Sequence, residues 1–441
     1  HSIRCASIIP SDGRVKGAFT SLVQVRGAMM RSARRRPLTI VFVTDMFGVE
    51  TNGIVTSARR MCEQLRAQGH TVRVVGTTES GKDKVKNNLE HAIKHASQNN
   101  SETDDELYVV RELRIPVVNH FAKKQSFIFG TPKIATFQEA FEGADVVHFF
   151  MPMMLEQVGV RVAKRMGIPI TAAFHVQAEN ITYNISPRLQ GADWAATGVY
   201  KVLYEIFYNA FPFIHCPSEF IKNQLLENGY GKHAKLVVIS NGVGDRFQPP
   251  ALERRVFPLY KDTFDILMVG RLSPEKNQKV LIRAVQYSRY AKHIRIFFAG
   301  GGADQKMLQT LGSVLPRPPS IHYYSQKELV NLMHSCDLYV HTASVEIEAI
   351  SCLEALATGL VPVIANSDKS ATRQFALDDR SLFINNDPRD LARQIDYWIE
   401  HPVQRVQMSK VYAKSADVYR LPECGRKMED MLYEAVEQYQ K

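Results

Sequence analysis

Thr39-Ile-Val-Phe-Val-Thr44 is a short apolar run that ends in Asp45-Met-Phe-Gly48. A helical pattern follows from Ile54 to Ala67 and stops at Gly69-His70, and Thr71-Val-Arg-Val-Val75 is a second apolar run. Strand, glycine-containing loop, helix and strand in this order indicate a βαβ unit, which is the connection that joins two parallel strands. This stretch therefore predicts a parallel sheet covered by helices.

The same alternation continues in two series along the chain. The further predicted strands are 146–150, 169–174, 213–216 and 235–239 in the first series, and 265–269, 294–299, 321–324, 338–341 and 361–365 in the second. Between the series, residues 244–262 contain prolines and charges without a clear period, which is typical of a linker. We therefore predict an α/β protein in which two doubly wound, Rossmann-like domains, 38–243 and 263–441, face a cleft. Ligands of such sheets bind at the carboxyl ends of the strands.

Length and composition fit this organisation. The chain has 441 residues, of which 45% are hydrophobic and 23% charged, and this length exceeds what a single core supports. No apolar run approaches the roughly 20 residues of a membrane-spanning helix. Six cysteines are widely spaced without a Cys-x-x-Cys pair, which favours buried thiols in a reducing compartment over a disulfide framework or metal site.

The net charge of +10 is concentrated in the first residues. Up to Arg36 the chain carries eight Arg or Lys and one acid, Asp12. We therefore predict that 1–37 is a basic extension and expect it to be disordered. It could be a remnant of gene-boundary prediction, a tag, a targeting segment or a disordered arm. A basic balance suits phosphorylated ligands or an anionic membrane surface. Because the excess lies mostly in the extension, a nucleic-acid partner is disfavoured.

Two loops of the second series are candidates for phosphate binding. Gly270-Arg-Leu-Ser-Pro-Glu-Lys-Asn277 follows a strand and precedes a helix. Arg271 and Lys276 would suit a pyrophosphate, and the helix start adds free N–H groups. The alternative is a solvated turn with two surface cations. Gly300-Gly-Gly302 allows either the close approach of a ligand or a tight turn.

A third loop carries acidic residues. Glu346 and Glu354 are separated by seven residues, and both would face one side if the helix began near Glu348. Such carboxylates can accept hydrogen bonds from a sugar and a ribose. Acids in a first helical turn also favour the helix dipole, which accounts for Glu346 and Glu348 but poorly for Glu354, between Leu353 and Ala355.

The first series offers two further candidates. Asn52-Gly53 lies between a strand and a helix, where a phosphate or sugar can approach the helix start. His175 closes a strand at the expected cleft. A lone histidine at a strand end is commonly structural, but this position favours a functional role.

In this order and at these strand ends, the motifs resemble a retaining glycosyltransferase of the two-Rossmann (GT-B) type, family 4. The resemblance extends over about 38–441. It implies that Arg271 and Lys276 bind the pyrophosphate of a nucleotide-sugar donor, that Glu354 holds the ribose and that Glu346 faces the donor sugar.

The resemblance also assigns roles in the first domain, where Gly53 would approach the phosphates and His175 would contact the transferred sugar. This chain departs from the pattern at two places. Many members have Glu-Gly-Phe-Gly where this chain has Glu346-Ile-Glu-Ala349, so Glu348 offers a further carboxylate to the donor. The first loop has Asn52-Gly53 in place of a double glycine.

A narrower resemblance concerns the substrates. The stretches 174–183, 346–354 and 366–372 are similar to bacterial diacylglycerol glucosyltransferases. This likeness implies UDP-glucose as donor, a lipid acceptor and a cytoplasmic protein, peripheral on the inner face of the membrane. The basic run 82–95 and the mixture of cations and aromatic residues at 120–129 fit contact with an anionic membrane surface. The alternative is a solvated face followed by a buried strand.

Neither a metal nor another cofactor is expected, because Arg271, Lys276 and helix N-termini would stabilise the departing pyrophosphate. The His91/His95 pair has no third ligand nearby in sequence, and no Asp-x-Asp precedes the donor loop. Alternatives are a transferase acting on a soluble acceptor, an epimerase or phosphorylase-like enzyme, and a non-catalytic nucleotide-sugar-binding protein. A nicotinamide enzyme is disfavoured because neither first loop reads Gly-x-Gly-x-x-Gly.

Overall fold

The structure of this chain is a computed structural model that describes residues 35–45, 47, 53–77, 107–113, 128–179, 193–251 and 261–441. The basic run at 82–95, with its His91/His95 pair, lies outside these residues, as do Asn52 and most of 120–129. Residues Thr39–Lys441 form one compact unit. Within the described part of this unit, two parallel sheets are present.

The first sheet contains seven strands in the order β3-β2-β1-β4-β5-β6-β7, and every pair is parallel. Its strands are β1 Thr39–Thr44, β2 Thr71–Thr77, β3 Leu107–Val110, β4 Val146–Phe149, β5 Ile170–Ala173, β6 Phe213–Cys216 and β7 Lys235–Val238. Central strands rich in Val, Ile and Phe are buried on both faces, as a helix-covered parallel sheet requires.

The second sheet contains six parallel strands in the order β10-β9-β8-β11-β12-β13. Its strands are β8 Phe264–Val269, β9 Ile294–Ala299, β10 Ser320–His322, β11 Leu338–His341, β12 Pro362–Asn366 and β13 Leu382–Ile384. In both sheets the strand order reverses beside the first strand, which is the usual place of a ligand crevice.

Helices connect the strands and cover both sheets. The α-helices described in the first series are α1 Gly53–Ala67, α2 Ile134–Phe141, α3 Met154–Arg165, α4 Asp193–Ile206 and α5 Glu219–Glu227. Those of the second series are α6 Lys279–Tyr287, α7 Gln305–Gly312, α8 Gln326–Ser335, α9 Ile350–Ala357, α10 Pro388–Glu400, α11 Pro402–Ser415 and α12 Leu421–Tyr439. Local signals fix several boundaries: Ser325 and Glu328 form a capping box at α8, and Asp387 caps α10.

The predicted fold class is confirmed, because the two doubly wound sheets have the expected order and direction. All strands of the first sheet precede the predicted linker 244–262, and all strands of the second sheet follow it. Two edge strands, β3 and β13, were not predicted. Each has only three or four residues, so an apolar run of this length gives little signal.

The last helix, α12, was predicted to belong with the second domain, but it packs against α1 of the first series. Gly425 permits this close approach, since a Cβ atom there would lie 2.7 Å from Cβ of Gln64. His70 Nε2, at the end of α1, lies 3.1 Å from a carboxylate oxygen of Glu429. The first sheet is therefore covered partly by the last helix of the chain.

The chain passes between the two sheets at Val243 and again just before α12. Here the Val243 amide donates to the Tyr419 carbonyl at 2.8 Å, and the Leu421 amide donates to the Val243 carbonyl at 3.2 Å. Gly242 has a φ of 78°, and a Cβ atom there would overlap with the Leu421 side chain. Glycine is thus required where the two passages touch.

No helix within the described residues is both long enough and apolar enough to cross a lipid bilayer.

Candidate functional site

The loops that follow β8 and β11 bring two of the predicted residues together. Lys276 closes a short turn after β8, and its Nζ forms an ion pair with Oε2 of Glu346. The two side chains are 16% and 15% exposed, so most of this pair is withdrawn from water. Two residues that are 70 positions apart thus meet at the carboxyl ends of neighbouring strands.

Glu346 lies in a loop and precedes α9, which begins only at Ile350. Its backbone is fixed on both sides: the Glu346 amide donates to the Lys369 carbonyl at 3.3 Å, and the Ala371 amide donates to the Glu346 carbonyl at 2.9 Å. Burial raises the pKa of the Glu346 carboxyl, but Lys276 and His341 outweigh burial and bring the pKa to about 2. Glu346 is therefore ionised at neutral pH.

His341, at the end of β11, is a neighbour of Glu346 that no motif in the sequence indicated. Its Nε2 lies 3.6 Å from Glu346 Oε2, and its Nδ1 lies 3.1 Å from the Tyr339 hydroxyl. Burial lowers the pKa of His341 below its ordinary value. The signal available in the sequence was its position at a strand end, which is the same signal that selected His175.

Arg271 shares the loop with Lys276 but has a different carboxylate partner. Its Nη2 donates to Glu275 Oε1 at 2.9 Å, and Ser273 Oγ donates to the same oxygen at 2.5 Å. The Arg271 side chain is 40% exposed, whereas Glu275 is buried. Arg271 therefore presents a partly exposed guanidinium at the carboxyl end of β8, where a phosphate could approach.

The glycine run after β9 packs against this same loop. A Cβ atom at Gly300 would overlap with the Gly270 carbonyl, and one at Gly302 would overlap with the Leu272 carbonyl. The Leu272 amide donates to the Gly301 carbonyl at 3.0 Å. These contacts account for two of the three glycines by loop packing, without any ligand.

Glu348 contacts the passage between the sheets. Its Oε2 accepts hydrogen bonds from the Asn241 amide at 3.0 Å and from Asn241 Nδ2 at 2.7 Å. Asn241 Oδ1 in turn accepts a 2.5 Å hydrogen bond from Ser57 Oγ of α1. Burial raises the pKa of Glu348 to about 7, although the Ser240 and Asn241 hydrogen bonds oppose this shift. Glu348 therefore links the two halves in this structure.

Glu354 lies in the second turn of α9 and is paired with an arginine of α1. Arg60 Nη2 donates to Glu354 Oε1 at 2.6 Å, and Arg60 Nη1 donates to the Gly242 carbonyl at 2.7 Å. We call Ser57, Arg60, Asn241, Gly242, Glu348 and Glu354 together the crossover seam. Glu346 and Glu354 are thus held by different cations, and they do not lie on one helical face as the sequence suggested.

Gly53 and His175 lie in the first half, each at the end of its loop. Gly53 is the exposed first residue of α1, and a Cβ atom there would meet no described residue within 4 Å. His175 is buried two residues beyond β5 and stacks on Phe150, with ring centroids 5.7 Å apart. Its Nε2 has no hydrogen-bond partner among the described residues. The described part of the chain therefore explains neither the glycine at 53 nor the unpaired nitrogen of His175.

Two more buried histidines, His148 and His215, lie next to His175. The His175 and His215 ring centroids are 5.5 Å apart, and those of His148 and His215 are 6.0 Å apart. Burial, together with the neighbouring His215, lowers the pKa of His175 to about 3, and burial lowers that of His215 to about 4. His175 is therefore neutral at physiological pH and can donate or accept a hydrogen bond to a sugar.

A buried pair of carboxyl groups stands at the end of β1. The Asp45 amide donates to Glu156 Oε1 at 3.1 Å, and the Gly130 amide donates to Asp45 Oδ1 at 2.5 Å. Burial raises the pKa of Asp45 to about 6, and burial together with Asp45 raises that of Glu156. The pair therefore retains a proton near neutral pH, next to the loop that leads to Gly53.

The described residues contain no group of three or more His, Cys, Asp or Glu side chains arranged to hold a metal ion. The donor-binding roles of Gly53, Arg271, Lys276, Glu348 and Glu354, and the catalytic roles of His175 and Glu346, stay predictions. What the geometry adds is the pairing of Lys276 with Glu346 and the place of Glu348 and Glu354 in the crossover seam.

Comparison with known proteins identifies the family. The profile described as Glycosyltransferase Family 4 matches residues 51–246, and the profile described as Glycosyl transferases group 1 matches residues 251–415. The chain is a GT-B glycosyltransferase. This finding supports an enzyme over a non-catalytic binding protein.

Other glycosyltransferases resemble this one in sequence at low identity. The alpha-monoglucosyldiacylglycerol synthase of Streptococcus pneumoniae is 24% identical over 345 residues, which cover 75% of this chain and 71% of the relative. A GDP-mannose-dependent alpha-mannosyltransferase of Mycobacterium tuberculosis is 27% identical over 74% of this chain and 78% of its own length. The sequence relatives thus include enzymes named for two different sugars.

A solved structure gives the fold. Anabaena Alr3699/HepE in complex with UDP and glucose superposes with a TM-score of 0.66 at 14% identity, covering 90% of this chain and all of that chain. The likeness lies in the arrangement of the two sheets, which is the GT-B arrangement.

Proposed function

We propose that this glycosyltransferase transfers glucose from UDP-glucose to a lipid acceptor such as diacylglycerol, with retention of the anomeric configuration. The observation that carries the proposal is the ionised Glu346, held between Lys276 and His341 where β8 and β11 end. Similarity to alpha-monoglucosyldiacylglycerol synthases supports the sugar and the acceptor. The protein would act in the cytoplasm, peripherally on an anionic inner membrane face.

In this mechanism the bond between the sugar C1 and the phosphate oxygen breaks, and a bond from C1 to the acceptor oxygen forms on the same face. Negative charge develops on the leaving pyrophosphate. Arg271 and Lys276 would stabilise that charge, because their cations are already fixed at the strand ends. The acceptor proton would pass to the leaving phosphate. Glu346 would meanwhile accept hydrogen bonds from donor sugar hydroxyls.

A second candidate donor is GDP-mannose, because several similar enzymes carry the name GDP-mannose-dependent alpha-mannosyltransferase. The reaction would be the same and the same two cations would hold the pyrophosphate. The two donors differ in the base and in the orientation of one sugar hydroxyl, so side-chain placement near Glu346 would distinguish them.

The test is a transfer assay with radiolabelled UDP-glucose or GDP-mannose and anionic vesicles, with and without diacylglycerol. We expect a glucosylated lipid, formed only when UDP-glucose and diacylglycerol are both present, with α-linkage by NMR. A mannosylated lipid from GDP-mannose would select the second donor. Release of nucleotide that does not depend on lipid would indicate that the acceptor is a soluble molecule. Nucleotide binding without any turnover would contradict the proposal.

A further inference from the structure

Arg60 is the residue of the crossover seam that joins the two halves most directly. One guanidinium donates in two directions, through Nη1 to the Gly242 carbonyl and through Nη2 to Glu354 Oε1, at 2.7 and 2.6 Å. A planar guanidinium held by two such bonds has a fixed position and orientation. Arg60 thus connects the backbone passage between the sheets to a carboxylate of the second half.

Glu354 depends on a nearby cation. Its side chain is 9% exposed, and the residues on either side of it in α9 are apolar. Burial raises the pKa of Glu354, while Arg60 first and Arg246 next oppose this shift. The other carboxyl group of the seam, Glu348, faces Asn241. Arg60 is therefore the cation that pairs with this buried carboxyl group and opposes the effect of burial most strongly.

The pairing leaves one oxygen of Glu354 available. Arg60 bonds to Oε1, and no hydrogen bond among the described residues reaches Oε2. An ionised carboxylate accepts hydrogen bonds only, and it has capacity for more than one on each oxygen. A ligand group that meets Oε2 must therefore be a donor, as a vicinal pair of ribose hydroxyls is.

The position of Arg60 is set by packing on its own side of the seam. Helix α1 is held against α12, where Gly425 contacts Gln64. One turn before Arg60, Ser57 donates to Asn241. Two consecutive turns of α1 thus bind two consecutive residues of the passage, so Arg60 is pre-organised before any ligand arrives.

We propose that Arg60 is a positioning residue of the donor site, which pairs with Glu354 and orients it so that Oε2 accepts hydrogen bonds from the ribose of a nucleoside diphosphate. Because Glu354 is taken as the ribose ligand of the proposed transferase, this role of Arg60 rests on the proposed function. The nucleotide site of the second half is then completed by a helix of the first half.

The experiment compares ribonucleotides with deoxyribonucleotides. Isothermal titration calorimetry on the full chain measures affinity for UDP, 2′-deoxy-UDP, GDP and 2′-deoxy-GDP. The variants are Arg60→Gln and Arg60→Lys, with Arg66→Gln as the control in the same helix. Arg66 lies in the last turn of α1, away from the crossover seam, and it donates a hydrogen bond to the Val72 carbonyl.

We expect the wild-type protein to prefer the ribonucleotide about tenfold or more, since a buried polar partner is left unpaired by the deoxy form. Arg60→Gln should remove this preference by weakening ribonucleotide binding alone, and Arg66→Gln should keep it. In Arg60→Gln the preference should return partly at higher pH, because Glu354 then ionises again. A purely structural role would weaken all four nucleotides alike and show no such recovery.

Arg60→Lys keeps the charge but cannot span two acceptors with a planar fork, so an intermediate preference is expected. An unchanged ribose preference in Arg60→Gln, or in Arg60→Lys if the Gln variant does not fold, would overturn the role of Arg60 while the transferase proposal stands. Failure of wild-type protein to bind either UDP or GDP would instead contradict the proposed function.

Discussion

At the scale of single residues, Glu346 is held ready for a polar ligand. Two basic groups, Lys276 and His341, approach one carboxylate oxygen, and burial withdraws the group from water. Charges arranged in this way before substrate binds need little reorganisation during the reaction. Lys276, His341 and Glu346 therefore have the electrostatic arrangement that the proposed sugar transfer would use.

Replacement of Glu346 by Gln should lower turnover strongly. The amide keeps the shape but loses the charge that Lys276 and His341 face, so we expect kcat to fall about 100-fold or more. The measurement is glucosyl transfer at saturating donor. The control is Asp417→Asn, which breaks the exposed pair with Lys414 and should leave kcat unchanged. Full turnover in Glu346→Gln would contradict the proposed catalytic role of Glu346.

Replacement of Glu348 by Gln should change how stability depends on pH. The folded-state pKa of Glu348 is raised to about 7, so the neutral carboxyl stabilises the fold at low pH and this contribution is lost as pH rises through 7. Relative to Glu348→Gln, the wild-type free energy of unfolding should fall by up to about 3 kcal/mol between pH 5 and 8. Urea titrations at both pH values measure the difference, and parallel pH profiles would contradict it.

Sequence spacing could identify the acidic residues of the site but not their partners. Glu346 and Glu354 are selected because seven residues separate them after a strand. Arg60 is 294 positions away from Glu354, and no local pattern in α1 distinguishes it from Arg59. His341 has the same strand-end position that indicates His175, but no spacing motif connects it with Glu346. Pairings of this kind depend on the packing of the two halves.

At the scale of elements, the start of α1 and the glycine loop after β9 differ in what their glycines do. Gly53 has free space around its Cα, whereas Gly300 and Gly302 are packed against neighbouring carbonyls. The first glycine is therefore a candidate for ligand approach. The other two are required by loop packing, which supports a tight turn at Gly300 and Gly302.

Replacement of Gly53 by Ala should reduce activity without loss of stability. A Cβ atom meets nothing at this position, and alanine is the better helix former. We expect an unchanged or slightly higher melting temperature together with a KM for the donor raised about tenfold, if phosphate approaches the helix start. The control is Gly198→Ala in α4, another glycine with free space around it. A normal KM in Gly53→Ala would argue against phosphate contact.

Replacement of Gly302 by Ala should destabilise the protein, and the same change at Gly301 should not. The Cβ atom at 302 overlaps with the Leu272 carbonyl, while at 301 it meets nothing within 4 Å. Forced backbone displacement in a packed region costs about 1 to 3 kcal/mol. Chemical unfolding of the two variants in parallel gives the comparison. Equal stability of the pair would show that the loops separate easily.

At the scale of the whole molecule, the domain pattern was predictable and the path of the last helix was not. Alternating strands and helices indicate two sheets, because each strand is a distinct apolar run. The spacing of apolar residues in α12 indicates that one face of the helix is buried, but it does not indicate which element that face packs against. Its partner, α1, lies more than 350 positions earlier, beyond the reach of any local rule.

Replacement of Gly425 by Val should weaken the connection between α12 and α1. A Cβ atom added at Gly425 would lie only 2.7 Å from Cβ of Gln64, so a branched side chain must push the helices apart. We expect a loss of about 1 to 3 kcal/mol of stability. A weaker affinity for UDP should accompany it, because Arg60 lies on α1. Gln438→Val, at an exposed position of α12, is the control for thermal unfolding and UDP binding. Unchanged UDP affinity in Gly425→Val would show that the packing of α12 against α1 does not affect the donor site.

The return of α12 to the first sheet also determines the order in which this protein can mature on the ribosome. Helix α1 and the strands beside it emerge early, but the surface that α12 covers stays open until α12 itself has been synthesised. Apolar surface left open during synthesis is a site for aggregation or chaperone binding. The amino-terminal half therefore reaches its final state only after the carboxyl-terminal half has been made, and a premature stop before α12 would leave the earlier half incomplete.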